Sequence, residues 1–194
     1  ALGSAPVIET QVAARLLARL DREGAGGAAL GAALTGEGLV TIALTPARDG
    51  RALLVPAGAV ATDLVAMAGD DLVLARVGDD RVVPTNSGSM PLADVAIAGE
   101  DVLATGAAAR AAFEAAVDDW LVLTANALVG IAARSVEIGV EYAGQREAFG
   151  QKIGAFQGIA HRLADSATAV DASRLLARKA AWAHQADPTA FPAL

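Results

Sequence analysis

The chain has 194 residues, 54% of them hydrophobic, with no cysteine and a net charge of −7. That acidity argues against a generic nucleic-acid surface, and the absence of cysteine removes disulfides, thiolate catalysis and cysteine metal sites. About a quarter of the residues are alanine, so helix formation accounts for much of the hydrophobic content.

The length suffices to bury a substantial core, as one large domain or two smaller ones. From the start to about Leu34 the pattern is helical. Val7, Ile8, Val12, Leu16, Leu17 and Leu20 recur at helix spacing behind Pro6. Gly24, Gly26 and Gly27 break that pattern before a second, Ala-rich helix that ends at Gly36. From Leu39 to about Val102 the period becomes that of strands. Val40, Ile42 and Leu44 alternate, followed by 53–55, 64–67, 72–77, 81–83 and 94–97. Asp49-Gly50, Gly69-Asp70-Asp71 and Gly78-Asp79-Asp80 are turn signals between them, and together they predict a compact antiparallel sheet or small barrel.

Two long helices are predicted next, from Ala107 to about Ala143 and from Phe156 to about Gln185, with Pro188 and Pro192 stopping the second. A short loop between long helices implies an antiparallel pair, and such a pair needs further helices or another subunit to cover its apolar surface. The most apolar run, from Leu121 to Ala133, contains Asn126 and is shorter than the roughly 20 residues a bilayer requires, so it reads as a buried helix. No basic-then-apolar leader opens the sequence, which makes a cytoplasmic location the expectation. The sequence begins at Ala1 rather than Met, so a fragment of a longer polypeptide is kept open. His161 and His184 lie on helical patterns and read as structural, with no metal site expected.

The densest cluster of specific polar groups lies between the two long helices, in Tyr142-Ala-Gly-Gln-Arg-Glu-Ala-Phe-Gly-Gln-Lys-Ile-Gly-Ala-Phe-Gln157. Arg146 can grip a phosphate with its planar fork, and Gln157 offers an amide at the start of the next helix. Phe149 and Phe156 supply flat apolar surface, while Gly150 and Gly154 allow tight turning. Taken alone, the stretch reads either as an anion or nucleotide contact or as a solvated arginine beside two core phenylalanines.

The order Tyr142, Arg146, Phe149-Gly150, Ile153, Phe156-Gln157 and Leu163-Ala164-Asp165 resembles the carboxy-terminal helical domain of flavin-dependent acyl-CoA dehydrogenases. The resemblance is dense from about Ala108 to His184 and thinner back to about Leu39. It implies an α+β fold with remnant amino-terminal helices over 1–36, a reduced antiparallel β domain over 37–105 and the first part of a helical-bundle domain over 106–194. It also implies FAD shared at a subunit interface, with Arg146 at the pyrophosphate and Phe149 beside the adenosine part. Gln157 would hydrogen-bond the same cofactor, and Ile153 and Phe156 would line the wall. A tetramer, an acyl-CoA substrate and an electron-transfer flavoprotein as acceptor follow from the same resemblance.

The sequence departs from the family at the chemistry. In a minority of members the glutamate that removes the α proton lies about 26 residues before the arginine, and here that position is Trp120. Trp cannot act as a base. In most members the glutamate lies beyond the last residue of this sequence. Asp118 and Asp119 read as partners of a helix dipole, and the arginine expected after the glutamate is Leu121. Thr41-Ile-Ala-Leu-Thr-Pro46 resembles the strand before a Thr-Glu-Pro turn but lacks the glutamate, and the segment that covers the flavin ring is missing. No catalytic residue is therefore expected in this chain. The expected role is the degenerate half of a bacterial heteromeric acyl-CoA dehydrogenase, completing a catalytic partner that oxidises fatty or steroid side-chain thioesters. The alternatives are part of a self-sufficient homotetramer, or a flavin-free structural subunit.

Overall fold

The computed structural model describes residues 5–21 and 23–186. The expected helix stops Pro188 and Pro192 lie outside the described residues. Two compact units are present, one ending at Trp120 and one beginning at Leu121.

The first unit opens with helices α1 (Val7–Leu20) and α2 (Ala25–Thr35). The break between them falls earlier than the glycine pattern suggests, since Gly26 and Gly27 lie inside α2. Asp21 sets this boundary: its carboxylate accepts the Gly24 and Gly26 N–H groups at 2.8 and 2.9 Å, satisfying donors that a helix start leaves orphaned. A β carbon on Gly24 would stand 2.6 Å from that carboxylate, which would have to shift to admit it.

Six strands follow: β1 (Val40–Ile42), β2 (Arg51–Val55), β3 (Asp63–Ala68), β4 (Asp71–Arg76), β5 (Ala93–Ala96) and β6 (Asp101–Thr105). They form a four-stranded sheet in the order β1-β3-β4-β6 and a separate β2-β5 ribbon. The expected antiparallel sheet is mixed instead, because β1 runs parallel to β3. The expected strand over 81–83 is reduced to a single bridge between Val82 and Asp94. The unpredicted β6 completes the sheet edge against β4.

The four-stranded sheet is covered on both faces. Val40, Ile42, Val65, Met67, Leu72 and Leu74 pack with Val12, Leu16 and Leu17 of α1 and with Phe113 of the following helix. Leu64 and Ala66 point the other way, into a second core with Val55 and Val95 of the ribbon. Burial on both faces is why residues 64–67 and 72–75 read as continuous apolar runs rather than alternating ones. Thr41 is fully buried among them, its hydroxyl donating to the Pro56 carbonyl at 2.6 Å.

Helix α3 (Gly106–Gln145) is continuous over 40 residues and joins the first unit to the second. By length and composition it is apolar enough to cross a membrane, which corrects the expectation that its apolar run is too short. Asp118 and Asp119 sit well inside it, not at its start. Asp119 is buried and pairs with Arg15 of α1 at 3.2 Å. Trp120, partly buried on the same core, donates its indole N–H to Glu9 at 3.3 Å.

Candidate functional site

The second unit contains the remainder of α3 and helix α4 (Gln157–Ala186). The helices are antiparallel. Asn126 Nδ2 donates to the Ala177 carbonyl at 3.5 Å, and farther along, a β carbon on Gly139 would meet Leu163 at 3.2 Å. Few residues of this unit are buried within the chain, Ala143, Ala177 and Ala183 among them. Leu128, Ile131, Leu175, Leu176 and Trp182 are exposed, Ile131 by 63% and Leu175 by 68%. On the surface of α3, Arg134 is held by Glu137 at 3.0 Å and Glu141 at 3.4 Å. These hydrogen bonds raise its guanidinium pKa, Glu137 contributing most.

Between the helices the chain forms a hairpin. The last helical bond of α3 runs from Arg146 N–H to the Tyr142 carbonyl at 2.9 Å, after which the backbone extends. Strands β7 (Glu147–Ala148) and β8 (Gln151–Lys152) pair in antiparallel register, Glu147 opposite Lys152. Phe149 and Gly150 form the corner with φ of 55° and 80°. Positive φ at both corner residues is what a type I′ hairpin turn demands, and Asn-Gly is the sequence that meets it most easily. A phenylalanine there is strained by about 1–2 kcal/mol.

Contacts on either side of the corner offset that strain. Lys152 Nζ lies 2.7 Å from Glu147 Oε1 and donates to the Gln145 carbonyl at 3.2 Å. The Phe149 and Phe156 rings meet edge to face at 6.1 Å and 85°. An exposed ion pair contributes at most about 1 kcal/mol. An aromatic pair of this geometry adds about 0.5–1.5 kcal/mol.

After β8, Ile153 N–H donates to the Arg146 carbonyl at 2.9 Å and extends the ladder by one step. A short 3-10 turn (Ile153–Ala155) then rests on α3. Gly154 permits this approach, since a β carbon there would stand 3.1 Å from the Ala143 carbonyl oxygen. Phe156 is extended, and its carbonyl accepts the Ile159 and Ala160 N–H groups at 2.9 Å to start α4. An open hollow of about 480 Å³ lies beneath, lined by Val140, Ala143, Gly144, Lys152, Gly154 and Leu163 among others.

All five residues singled out in the sequence fall in this hairpin and at the helix start beside it. Arg146 is exposed, and among the described residues no carboxylate holds its guanidinium. Phe149 is 95% exposed. Ile153 and Phe156 are partly buried, and Gln157 is exposed at the first position of α4. The first turn of α4 carries no acidic residue, so nothing there neutralises the positive end of the helix dipole. Arginine, amide, ring faces and an unneutralised helix start form a donor set suited to a diphosphate joined to an aromatic base.

Sequence reasoning missed two things: the role of Lys152 and the left-handed Phe149. Opposite charges placed symmetrically about a Phe-Gly corner were the available signal. Trp120 and Asp119 are committed within the first unit, Trp120 to Glu9 and Asp119 to Arg15. The Thr85–Ser89 loop is closed by its own Asn86, which exchanges hydrogen bonds with the Met90 backbone at 2.8 and 2.9 Å. Among the described residues no three His, Asp or Glu side chains gather as metal ligands.

Residues 121–193 match the model of the acyl-CoA dehydrogenase C-terminal domain. A probable acyl-CoA dehydrogenase of Bacillus subtilis (strain 168), YngJ, is 33% identical over 98 residues, which is 50% of this chain and 26% of the Bacillus protein. The fold is similar to the crystal structure of the ChsE4–ChsE5 complex from Mycobacterium tuberculosis. The TM-score is 0.79 at 24% identity, covering 96% of this chain and 58% of that one. It is also similar to an FAD-dependent dehydrogenase, with a TM-score of 0.80 at 19% identity, covering 93% of this chain and 60% of that one. The chain thus takes in about a quarter of the curated relative and under two thirds of the solved chains. The helix-hairpin-helix segment that carries Arg146 and Gln157 lies within the part of the chain that matches the acyl-CoA dehydrogenase C-terminal domain.

Proposed function

We propose that this chain is a subunit of an FAD-dependent acyl-CoA dehydrogenase. It contributes flavin contacts and assembly surface, while a partner subunit carries the catalytic base. The observation that carries this reading is the hairpin, which presents a guanidinium that no carboxylate among the described residues holds, together with an exposed, strained aromatic ring. A backbone that holds a bulky residue in a costly conformation with its ring in solvent is shaped for a contact outside the chain.

The residues fit the cofactor. Arg146 would take two diphosphate oxygens with its parallel N–H groups, and Gln157 would hydrogen-bond the same moiety at the positive end of α4. Phe149 and Phe156 would pack against the adenosine portion, with Ile153 on the wall. When bound, the flavin supplies the acceptor for the hydride that leaves the β carbon of an acyl thioester. The α proton needs a carboxylate, and the position that supplies it in a minority of the family is Trp120 here, an indole already engaged with Glu9. The exposed apolar rows of α3 and α4 suit burial in such an assembly.

The test is the flavin-to-chain ratio of purified protein, with identification of any polypeptide that accompanies it. Flavin present only with a second, glutamate-bearing chain is the expected result. One flavin per chain without a second polypeptide would replace the proposal with a homomeric enzyme, and no flavin in either state would leave a structural subunit. Arg146→Ala should weaken flavin binding by about 1.5–3 kcal/mol, the scale of a charged hydrogen bond, with the assembly intact.

A further inference from the structure

The hairpin that presents Arg146 has only two residue pairs, and its corner holds a phenylalanine at positive φ. A two-stranded ribbon of this size does not hold its shape alone. Lys152 supplies what it lacks. Its ammonium ion-pairs with Glu147 at 2.7 Å and donates to the Gln145 carbonyl at 3.2 Å, so it binds both residues that flank Arg146. Gln145 is the last residue of α3, where carbonyls are unpaired and the dipole is negative, which favours a cation. The next residue, Ile153, takes the Arg146 carbonyl itself. Three successive residues are thus gripped from the opposite strand.

We propose that Lys152 is a positioning residue for Arg146. By tying the end of α3 to both strands of the hairpin, it fixes the direction in which the guanidinium leaves the backbone, and through this the affinity for the flavin diphosphate. The proposal rests on the functional reading above. Because Lys152 is already neutralised by Glu147, its effect on an anion runs through the hairpin and not through its own charge. Glu147→Gln separates the two routes. Freeing a lysine that touched phosphate would tighten binding, whereas loosening the hairpin weakens it.

The experiment compares Lys152→Met, Lys152→Arg, Glu147→Gln and Arg146→Ala in the purified flavin-bound assembly. It measures the FAD dissociation constant and hydrogen exchange at the Ile153 amide. Lys152→Met and Glu147→Gln should each speed that exchange and weaken FAD binding about fivefold, the size of an exposed ion pair, with a fall in Tm of no more than about 4 °C. Lys152→Arg should restore both, because a guanidinium can make the same two contacts. Arg146→Ala should weaken FAD binding and leave the exchange rate near that of the parent. Unchanged exchange in Lys152→Met, or tighter FAD binding in Glu147→Gln, would overturn the positioning role. If Arg146→Ala leaves FAD affinity unchanged, the flavin-contact reading fails, while exchange at Ile153 still decides whether Lys152 holds the hairpin.

Discussion

Replacing Phe149 by Asn should move stability and binding in opposite directions. Asparagine tolerates positive φ, and Asn-Gly is the favoured pair at a type I′ corner, so the change removes about 1 kcal/mol of backbone strain. The ring is 95% exposed, so almost no buried area is lost with it. What is lost is the edge contact with Phe156 at 6.1 Å, about 0.5 kcal/mol for so exposed a pair. The net is a stabilisation of roughly 0–1 kcal/mol, a rise in Tm of up to about 4 °C for a chain of this size. Binding of FAD should nonetheless weaken about tenfold, because the aromatic surface assigned to the adenosine portion is gone. Thermal denaturation of the flavin-free chain and titration with FAD measure the two effects. A loss of more than about 1 kcal/mol in the flavin-free protein would refute the reasoning, since it would mean that the ring is held by packing and not displayed.

Three further outcomes are expected. Asp21→Ala removes the acceptor of the Gly24 and Gly26 N–H groups and should cost about 1 kcal/mol, read by denaturant unfolding. Gly154→Ala places a methyl 3.1 Å from the Ala143 carbonyl, a backbone atom that cannot rotate away. It should cost about 1–3 kcal/mol and displace the start of α4, seen as faster amide exchange at Ile159 and Ala160. Ile131→Glu puts a carboxylate on the exposed apolar row of α3 and should shift the assembly to smaller species in light scattering, with an unchanged helical circular dichroism signal. An unchanged mass would show that this face is not used for assembly.

Both long helices were legible to within two residues at each end. Their 3.6-residue period repeats over many turns, and each hydrogen bond is local in sequence. For the same reason the candidate site could be read almost whole. Arg146, Phe149, Ile153, Phe156 and Gln157 are near neighbours in the chain, so no distant pairing was needed to bring them together. Conformation within that segment was less legible. Nothing about Phe149 as a residue type signals a left-handed backbone, and the bridge from Lys152 to Gln145 depends on the hairpin register.

The sequence by itself determined where the two long helices begin and end, that the chain has no cysteine chemistry, and that the turn between those helices could face an anion. Tertiary structure decided the pairings that join distant residues. It set β1 parallel to β3, brought in β6, tied Trp120 to Glu9 of α1, and paired Asp119 with Arg15 instead of leaving it a helix-dipole partner. Strand direction and cross-helix partners depend on which faces are left to be covered. Leu64 and Val65 are equally apolar as residues, and only the layers packed above and below the sheet send one to the ribbon and the other to the helices.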